Sequence, residues 1–490
     1  MSTARHRAAP HRSGLLTTTT WLLGSRLAIA LLGWVGTVLI VRALSVEDYG
    51  RFTLIFGVLG VLSIVTDLGI GRIALSGMLD ESHDRARFTG SYVLLRCLLG
   101  VLGYALGVGF VAVAGYGPDV VAATAVAAAV VVLATPGNAY ITVFQAHRRL
   151  RGVAVAQAAS RLAQVGFTAA IATAGGSLLL FTLPAVAAEV VVLLWLVPAA
   201  HALTRIRYRV DGRLWWRLLR EAAPLSVGAA LATVYYRVDT IMLSQLDDFS
   251  AVALYGVAYK FVDLTHFLSS AVTTALLPLL VAAWPDDLRA LRHELRRGAT
   301  VLLLLGGFVV VQFALFADPV IRLVYGEAYV AASLAARVVV LSEVISFVSA
   351  LALVVLVAAG LHRRYPLIAL VGLVVNVGLN LVLIPAASYL GAAVATLVTE
   401  LVVVVWICAE VRRAPGLRPL PRPPLLRLLV AGAAAGALGL ALAPVLPWPL
   451  AVVAVGAAYA GLVLVLRATG PDGVRALGRD AAAAGEPRGE

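Results

Sequence analysis

The sequence predicts an all-α integral membrane protein with about fourteen transmembrane helices. Three observations carry that prediction. Hydrophobic residues make up 61% of the 490, against roughly 45–50% in soluble domains. Charged residues make up only 13%. Apolar runs long enough to cross a hydrocarbon core of about 30 Å follow one another almost end to end, which leaves no room for a sizeable soluble domain.

The runs fall at 15–44, 51–71, 88–112, 119–145, 152–174, 178–202, 222–245, 252–283, 298–317, 334–360, 365–384, 392–410, 428–444 and 449–466. The basic tail 1–14 precedes an apolar run too long for a cleaved signal peptide, so the first run reads as a retained helix. The first six runs form one lobe, 15–202, and the next six a second, 222–410, joined by the basic linker 203–221. A proline-rich linker, 411–427, cannot continue a helix and sets off the last two runs, 428–466. The polar end, 467–490, reads as a tail.

Net charge is +13, which raises the question of a nucleic-acid partner. The distribution of the charge answers it. With the N-terminus inside, the inner segments hold 30 of the 39 basic residues and the outer ones only Arg42, Arg51 and Arg322. That bias places both termini in the cytoplasm by the positive-inside rule. The arginines orient the protein and lie where they can touch anionic lipid. No aromatic–basic motif supports nucleic-acid binding. The two cysteines, Cys97 and Cys408, sit inside apolar runs at no spacing that implies a disulfide or a metal site. No Walker or zincin motif occurs, and no cofactor is expected.

The body looks doubled. "AHRR" (146–149) precedes the fifth run and "LHRR" (361–364) the eleventh. Arg26 and Arg237 correspond in the first and seventh runs, as do Glu189 and Glu400 in the sixth and twelfth. Six helices return the chain to the same side, so the repeats would be parallel about an axis along the membrane normal, as in two-lobed transporters.

Charges inside the bilayer are costly and therefore functional candidates. Arg26 and Arg237 lie too deep in their runs to reach an interface easily. Each is either half of a buried ion pair, Arg237 with Asp239 for instance, or part of an anion site, since a guanidinium matches phosphate bidentately at any working pH. Lys260, the only lysine, has Asp263 at i+3. The two form either a neutralised pair or a site whose protonation can change. Asp239, Asp263 and Glu343 are the candidates for coupling or ion pairing. Asn376 and Asn380 share a face and predict an interhelical hydrogen bond. Arg96 and Arg161 lie within half a helix of cytoplasmic ends, where snorkelling accounts for them. In "LSVEDYGRF" (44–52), Glu47 and Asp48 fall in a helix's first turn, where its dipole favours acids. The pair reads as a helix start rather than an active site.

Four stretches together resemble the Wzx-type polysaccharide flippases of the multidrug/oligosaccharidyl-lipid/polysaccharide exporter superfamily, which also holds the lipid II flippases. They are "LSVEDYGRF"; "DLGIG" (67–71); "PLSVGAALATVYYRVDTIMLSQL" with "ALYGVAYKFVDL" (224–264); and "GEAYVAASLAARVVVLSEVISF" with "NVGLNLVLIPAASYLGAAVATLVTE" (326–400). The resemblance implies two six-helix lobes around a cationic central cavity, plus two C-terminal helices like those that form a lipid groove in the lipid II flippases. It implies a bacterial inner-membrane protein, not an enzyme. Its substrate would be an undecaprenyl-pyrophosphate-linked oligosaccharide, moved from the cytoplasmic to the outer leaflet by alternating access for cell-surface polysaccharide synthesis. Polysaccharide polymerases and glycosyltransferases are the expected partners, beside membrane lipids. The lipid II flippases carry an essential arginine in the first helix, and Arg26 occupies a similar place. On this reading Arg26, Arg237 and Lys260 bind the pyrophosphate, and coupling to protons or sodium is compatible with the acids. Two rivals stand beside it: a multidrug exporter of the same superfamily, which a cationic cavity disfavours, and a polytopic glycosyltransferase or ligase, for which the outer loops are short.

Overall fold

A computed structural model describes residues 31–67, 69–80, 84–413 and 422–466. Among these, the helices are α1 (Leu31–Ala43), α2 (Val46–Asp67), α3 (Ile70–Leu79), α4 (Arg85–Val113), α5 (Pro118–Ala146), α6 (Leu150–Thr173) and α7 (Leu178–Leu203). They continue with α8 (Gly212–Leu246), α9 (Phe249–Ala283), α10 (Leu288–Tyr325), α11 (Ser333–Ala358), α12 (Tyr365–Arg413), α13 (Arg422–Leu442) and α14 (Trp448–Val465). No strand occurs among the described residues. Eight of the described helices, counting α12 once, are long and apolar enough to cross a membrane.

The boundaries differ from the sequence reading in three instructive places. The second run ends at Asp67 rather than residue 71, and Gly69, at φ 63°, turns the chain into the short helix α3. Part of what reads as an inner loop is therefore helical. The seventh run begins at Gly212, ahead of the expected residue 222. Leu214, Leu218 and Ala222 are buried one turn apart while Arg213, Arg217 and Arg220 are exposed, so an amphipathic helix precedes the apolar one. The eleventh and twelfth runs form one helical stretch, broken at Ala387 and Ser388 just after Pro385, whose missing N–H frees a carbonyl of the preceding turn.

Contacts divide the chain into two compact units. The first comprises 58–226 with the described residues before 46. Its core gathers Phe88, Tyr92, Val143, Phe144, Leu196 and Leu218. Arg96 lies inside it, 1% exposed. This corrects the snorkelling expectation: the side chain turns inward. Its Nε donates to the Thr135 carbonyl at 3.1 Å, and Nη1 donates to the Thr66 carbonyl at 2.8 Å and to Asp67 Oδ1 at 3.0 Å. The last carbonyls of α2 have no intrahelical partner, and Arg96 supplies one while Asp67 balances its charge.

The second unit comprises 46–57 and the described residues after 226. One core joins α9, α10, α11 and α12 around Leu280, Leu295, Phe347 and Ile407. Another packs α13 and α14 on α10 through Val311, Ala435, Val455 and Tyr459. The start of α2 belongs to this unit because it presses on α9. A Cβ on Gly50 would fall 1.8 Å from the Phe249 carbonyl oxygen, so only glycine permits the approach. Tyr49 is buried edge-on against Tyr329, ring centroids 6.0 Å apart. Arg51 binds Asp48 at 2.9 Å and Glu47 at 2.6 Å, and lies over the Phe249 ring. The two acids are thus occupied by an arginine one turn on, in keeping with a helix start.

Candidate functional site

The charged candidates of the second unit gather into two clusters. The first surrounds Asp239, on the C-terminal half of α8 and 2% exposed. Its Oδ1 accepts from Asn380 Nδ2 at 2.7 Å. Its Oδ2 accepts from the Tyr255 hydroxyl at 2.6 Å and from Thr396 Oγ1 at 2.7 Å. The Asn380–Asp239 bond delivers the interhelical bonding expected of the asparagines and ties α12 to α8, while Asn380 also donates to Asn376 Oδ1 at 3.1 Å within α12. The expected Arg237–Asp239 pair does not form. Two residues along a helix is roughly 200° of rotation, so the side chains leave on different faces.

Asp239 is therefore a buried carboxylate held by three neutral donors, with no cationic side chain bonded to it among the described residues. Asn380 Oδ1 is buried without a hydrogen-bond partner among the described residues. A lone carboxylate in a low-dielectric interior is costly unless it carries a proton or meets a cation. Asn380 presents its amide nitrogen and Thr396 its hydroxyl hydrogen to the carboxylate, so the proton-accepting oxygens of the cluster are those of Asp239 itself.

The second cluster adjoins a cavity of about 230 Å³ among α8, α9, α11 and α12, lined by its Tyr235, Tyr236, His266 and Glu400. Glu343, 3% exposed, accepts a bond from His266 Nδ1 at 3.0 Å, written with the proton on that nitrogen. The Tyr235 hydroxyl donates to Glu400 Oε1 at 2.7 Å. Tyr236 stands edge-on to both Tyr235 and His266, at 5.7 and 5.8 Å between centroids. Ser349 Oγ is buried on the cavity wall without a partner. Of these residues the sequence points to Glu343 and Glu400 but not to His266 or Tyr235. A signal for His266 exists: it is the one histidine deep within a predicted span.

Lys260 and Asp263 meet at 3.6 Å, half-exposed, as their i+3 spacing predicts. Arg237 is half-buried and makes no ion pair among the described residues. Arg26 lies outside the described residues. Arg337, near the start of α11, pairs with Asp318 at 3.1 Å. The structure thus brings Asp239 together with Asn380, and Glu343 with His266. It leaves Arg237 without an acid among the described residues.

These helices, long and apolar and carrying isolated polar clusters, define a multi-pass membrane protein. The chain belongs to the polysaccharide biosynthesis protein family, which matches residues 15–284. The MatE family also matches, over residues 224–382. A comparison with curated protein sequences finds no match. Among solved structures, the fold is similar to "Lipid II flippase MurJ, inward closed conformation", at a TM-score of 0.75 and 14% identity, covering 92% of this chain and 98% of that one. It is also similar to an inward-facing multidrug resistance MATE family transporter of the MOP superfamily, at 0.65 and 15%, covering 80% and 99%. A third likeness is to the MATE multidrug transporter DinF-BH, at 0.58 and 14%, covering 84% and 97%. At these identities the likenesses establish the fold.

Proposed function

We propose that the protein is a flippase that moves a polyprenyl-pyrophosphate-linked oligosaccharide from the cytoplasmic to the outer leaflet of a bacterial inner membrane. One observation carries this reading: Arg237, beyond the middle of the seventh predicted run, stands without an acidic partner among the described residues. A cation kept in that place at such cost is best explained by an anion that comes and goes. The family match supports the polysaccharide pathway, and the MurJ-like fold supports a lipid-linked cargo. Arg237 and Lys260, with Arg26 of the first predicted helix, bind the pyrophosphate. The glycan occupies water and the prenyl tail stays in lipid, so no charge crosses hydrocarbon unaccompanied. The lobes alternate in access, with both termini cytoplasmic.

Asp239 is the coupling site on this reading. A proton or sodium ion taken up by Asp239 would compete with the hydrogen bonds that Asn380 and Thr396 donate to it, which makes its occupancy depend on the conformation of α8 against α12. Transport, not bond chemistry, is the activity. Polysaccharide polymerases and glycosyltransferases are the natural neighbours of such a flippase.

A second reading has its own observation in favour. The tyrosine-lined cavity with Glu400 suits an organic cation, and the MATE likeness agrees with it. Native mass spectrometry of the purified protein separates the two. A co-purifying polyprenyl-linked glycan supports the flippase, whereas retention of cationic dyes with no affinity for polyprenyl phosphates supports the exporter.

A further inference from the structure

The first unit carries a charged cleft that neither the substrate site nor the coupling site uses. It lies where the 204–211 linker folds back on the start of α4. Arg87, Arg209, Arg213 and Arg217 line it together with Asp84 and Asp211, around a volume of about 960 Å³. The linker is pinned in place. Arg207 N donates to the Ala86 carbonyl at 2.9 Å, and Trp215 Nε1 donates to the Ser91 carbonyl at 2.9 Å. The approach is so close that a Cβ on Gly90 would fall 2.0 Å from the Arg207 carbonyl oxygen. The cleft is therefore preformed, not a tail that happens to be basic.

Its two acids are committed to structural work. Asp84 Oδ1 accepts from the backbone N–H groups of Ala86 and Arg87 and caps α4. Asp211 Oδ1 accepts from Leu214 N at 3.1 Å, at the start of α8, and its Oδ2 accepts from Arg87 at 3.1 Å. Four guanidinium groups against two carboxylates leave the cleft net positive. The surroundings are not those of an aqueous site. Val210 on the cleft wall is 64% exposed, and Trp216 and Tyr208, next to the lining arginines in sequence, are 69% and 47% exposed. Trp216 stands about two turns before the apolar part of α8, where a helix entering a bilayer passes the lipid headgroups and tryptophan is enriched.

We propose that this cleft binds the phosphate of an anionic phospholipid, with Arg209 and Arg213 on the phosphate and Trp216 against the glycerol and upper acyl chain. Guanidinium groups match phosphate oxygens in pairs. Basic residues at the surface of an anionic membrane each strengthen binding by about fivefold. All the lining residues belong to the first unit, while Arg237 and Lys260 belong to the second. The inference does not depend on the substrate proposed above.

The test uses the full chain in a mild detergent, with native mass spectrometry reading bound lipid during titration with phosphatidylglycerol and with phosphatidylcholine. The expected result is preferential retention of phosphatidylglycerol, reduced about tenfold or more in the Arg209→Gln/Arg213→Gln variant. Inorganic pyrophosphate should displace it poorly. Trp216→Ala, which removes no charge, should weaken the lipid and leave any pyrophosphate binding unchanged. Equal retention of the two lipids, or undiminished phosphatidylglycerol on the double variant with thermal stability intact, overturns the proposal. Displacement by pyrophosphate at concentrations comparable to the lipid also overturns it, in favour of a soluble anion.

Discussion

Asn380 Nδ2 lies 2.7 Å from Asp239 Oδ1, and this hydrogen bond, with that from Thr396, joins α12 to α8 through a carboxylate that no basic side chain balances among the described residues. If Asp239 holds the coupling ion, Asp239→Asn keeps the volume and most donors but removes the charge. The variant should fold and reach the membrane. Its transport should fall about tenfold or more and lose any dependence on sodium or on the proton gradient. The measurement is reconstituted transport under imposed gradients. Wild-type gradient dependence in the variant would remove Asp239 from coupling.

His266 and Glu343 offer a cleaner energetic test. Removing His266 leaves a buried carboxylate without its donor, a loss of about 1–3 kcal/mol. His266→Ala should therefore destabilise, and adding Glu343→Gln should recover part of the loss. A double-mutant cycle by thermal unfolding in detergent reads the coupling. Strict additivity would mean that the two side chains do not interact.

Arg96 is predicted to be structural. Arg96→Leu leaves the Thr66 and Thr135 carbonyls without their donor and Asp67 without its cation. The expected cost is about 3–5 kcal/mol, with Arg96→Lys intermediate because a lysine cannot reach three acceptors at once. Unfolding measurements check it, and transport per folded molecule should be unchanged.

The linker that builds the basic cleft should loosen in acid. The Leu214 backbone N–H, and then Arg87, hold the Asp211 carboxyl below the usual carboxylate range. A depressed folded value means that its stabilisation is fully present above about pH 4 and is lost as the pH falls through the folded value. Proteolysis within 204–212 should accelerate over that acid window. Asp211→Asn should be cut at the faster rate already at neutral pH. A wild-type cleavage rate in that variant would show that Asp211 does not hold the linker.

Much of this is legible in the residues. Hydropathy alone marks the spans, because a bilayer demands long apolar helices, and i+3 spacing predicts the Lys260–Asp263 contact. The asparagine pair on α12 likewise announces interhelical bonding. What spacing along one helix does not supply is the partner on another. Asp239 meets Asn380, Tyr255 and Thr396, which lie 16 to 157 residues away. Arg96 reads as a snorkelling residue because depth along a helix says nothing about which way the side chain turns. His266 escapes notice for the same reason: its importance comes from Glu343, 77 residues on. The amphipathic start of α8 is hidden by the arginines that drop its hydropathy below that of a span.

The central claim is that Arg237, with Arg26, serves an anionic lipid-linked sugar. The most direct measurement is translocation of a polyprenyl-pyrophosphate oligosaccharide across proteoliposomes containing the wild type or the Arg26→Gln/Arg237→Gln variant at matched protein levels. The account predicts translocation by the wild type and its loss in the variant, with expression and reconstitution unchanged. Full translocation by the double variant would contradict it.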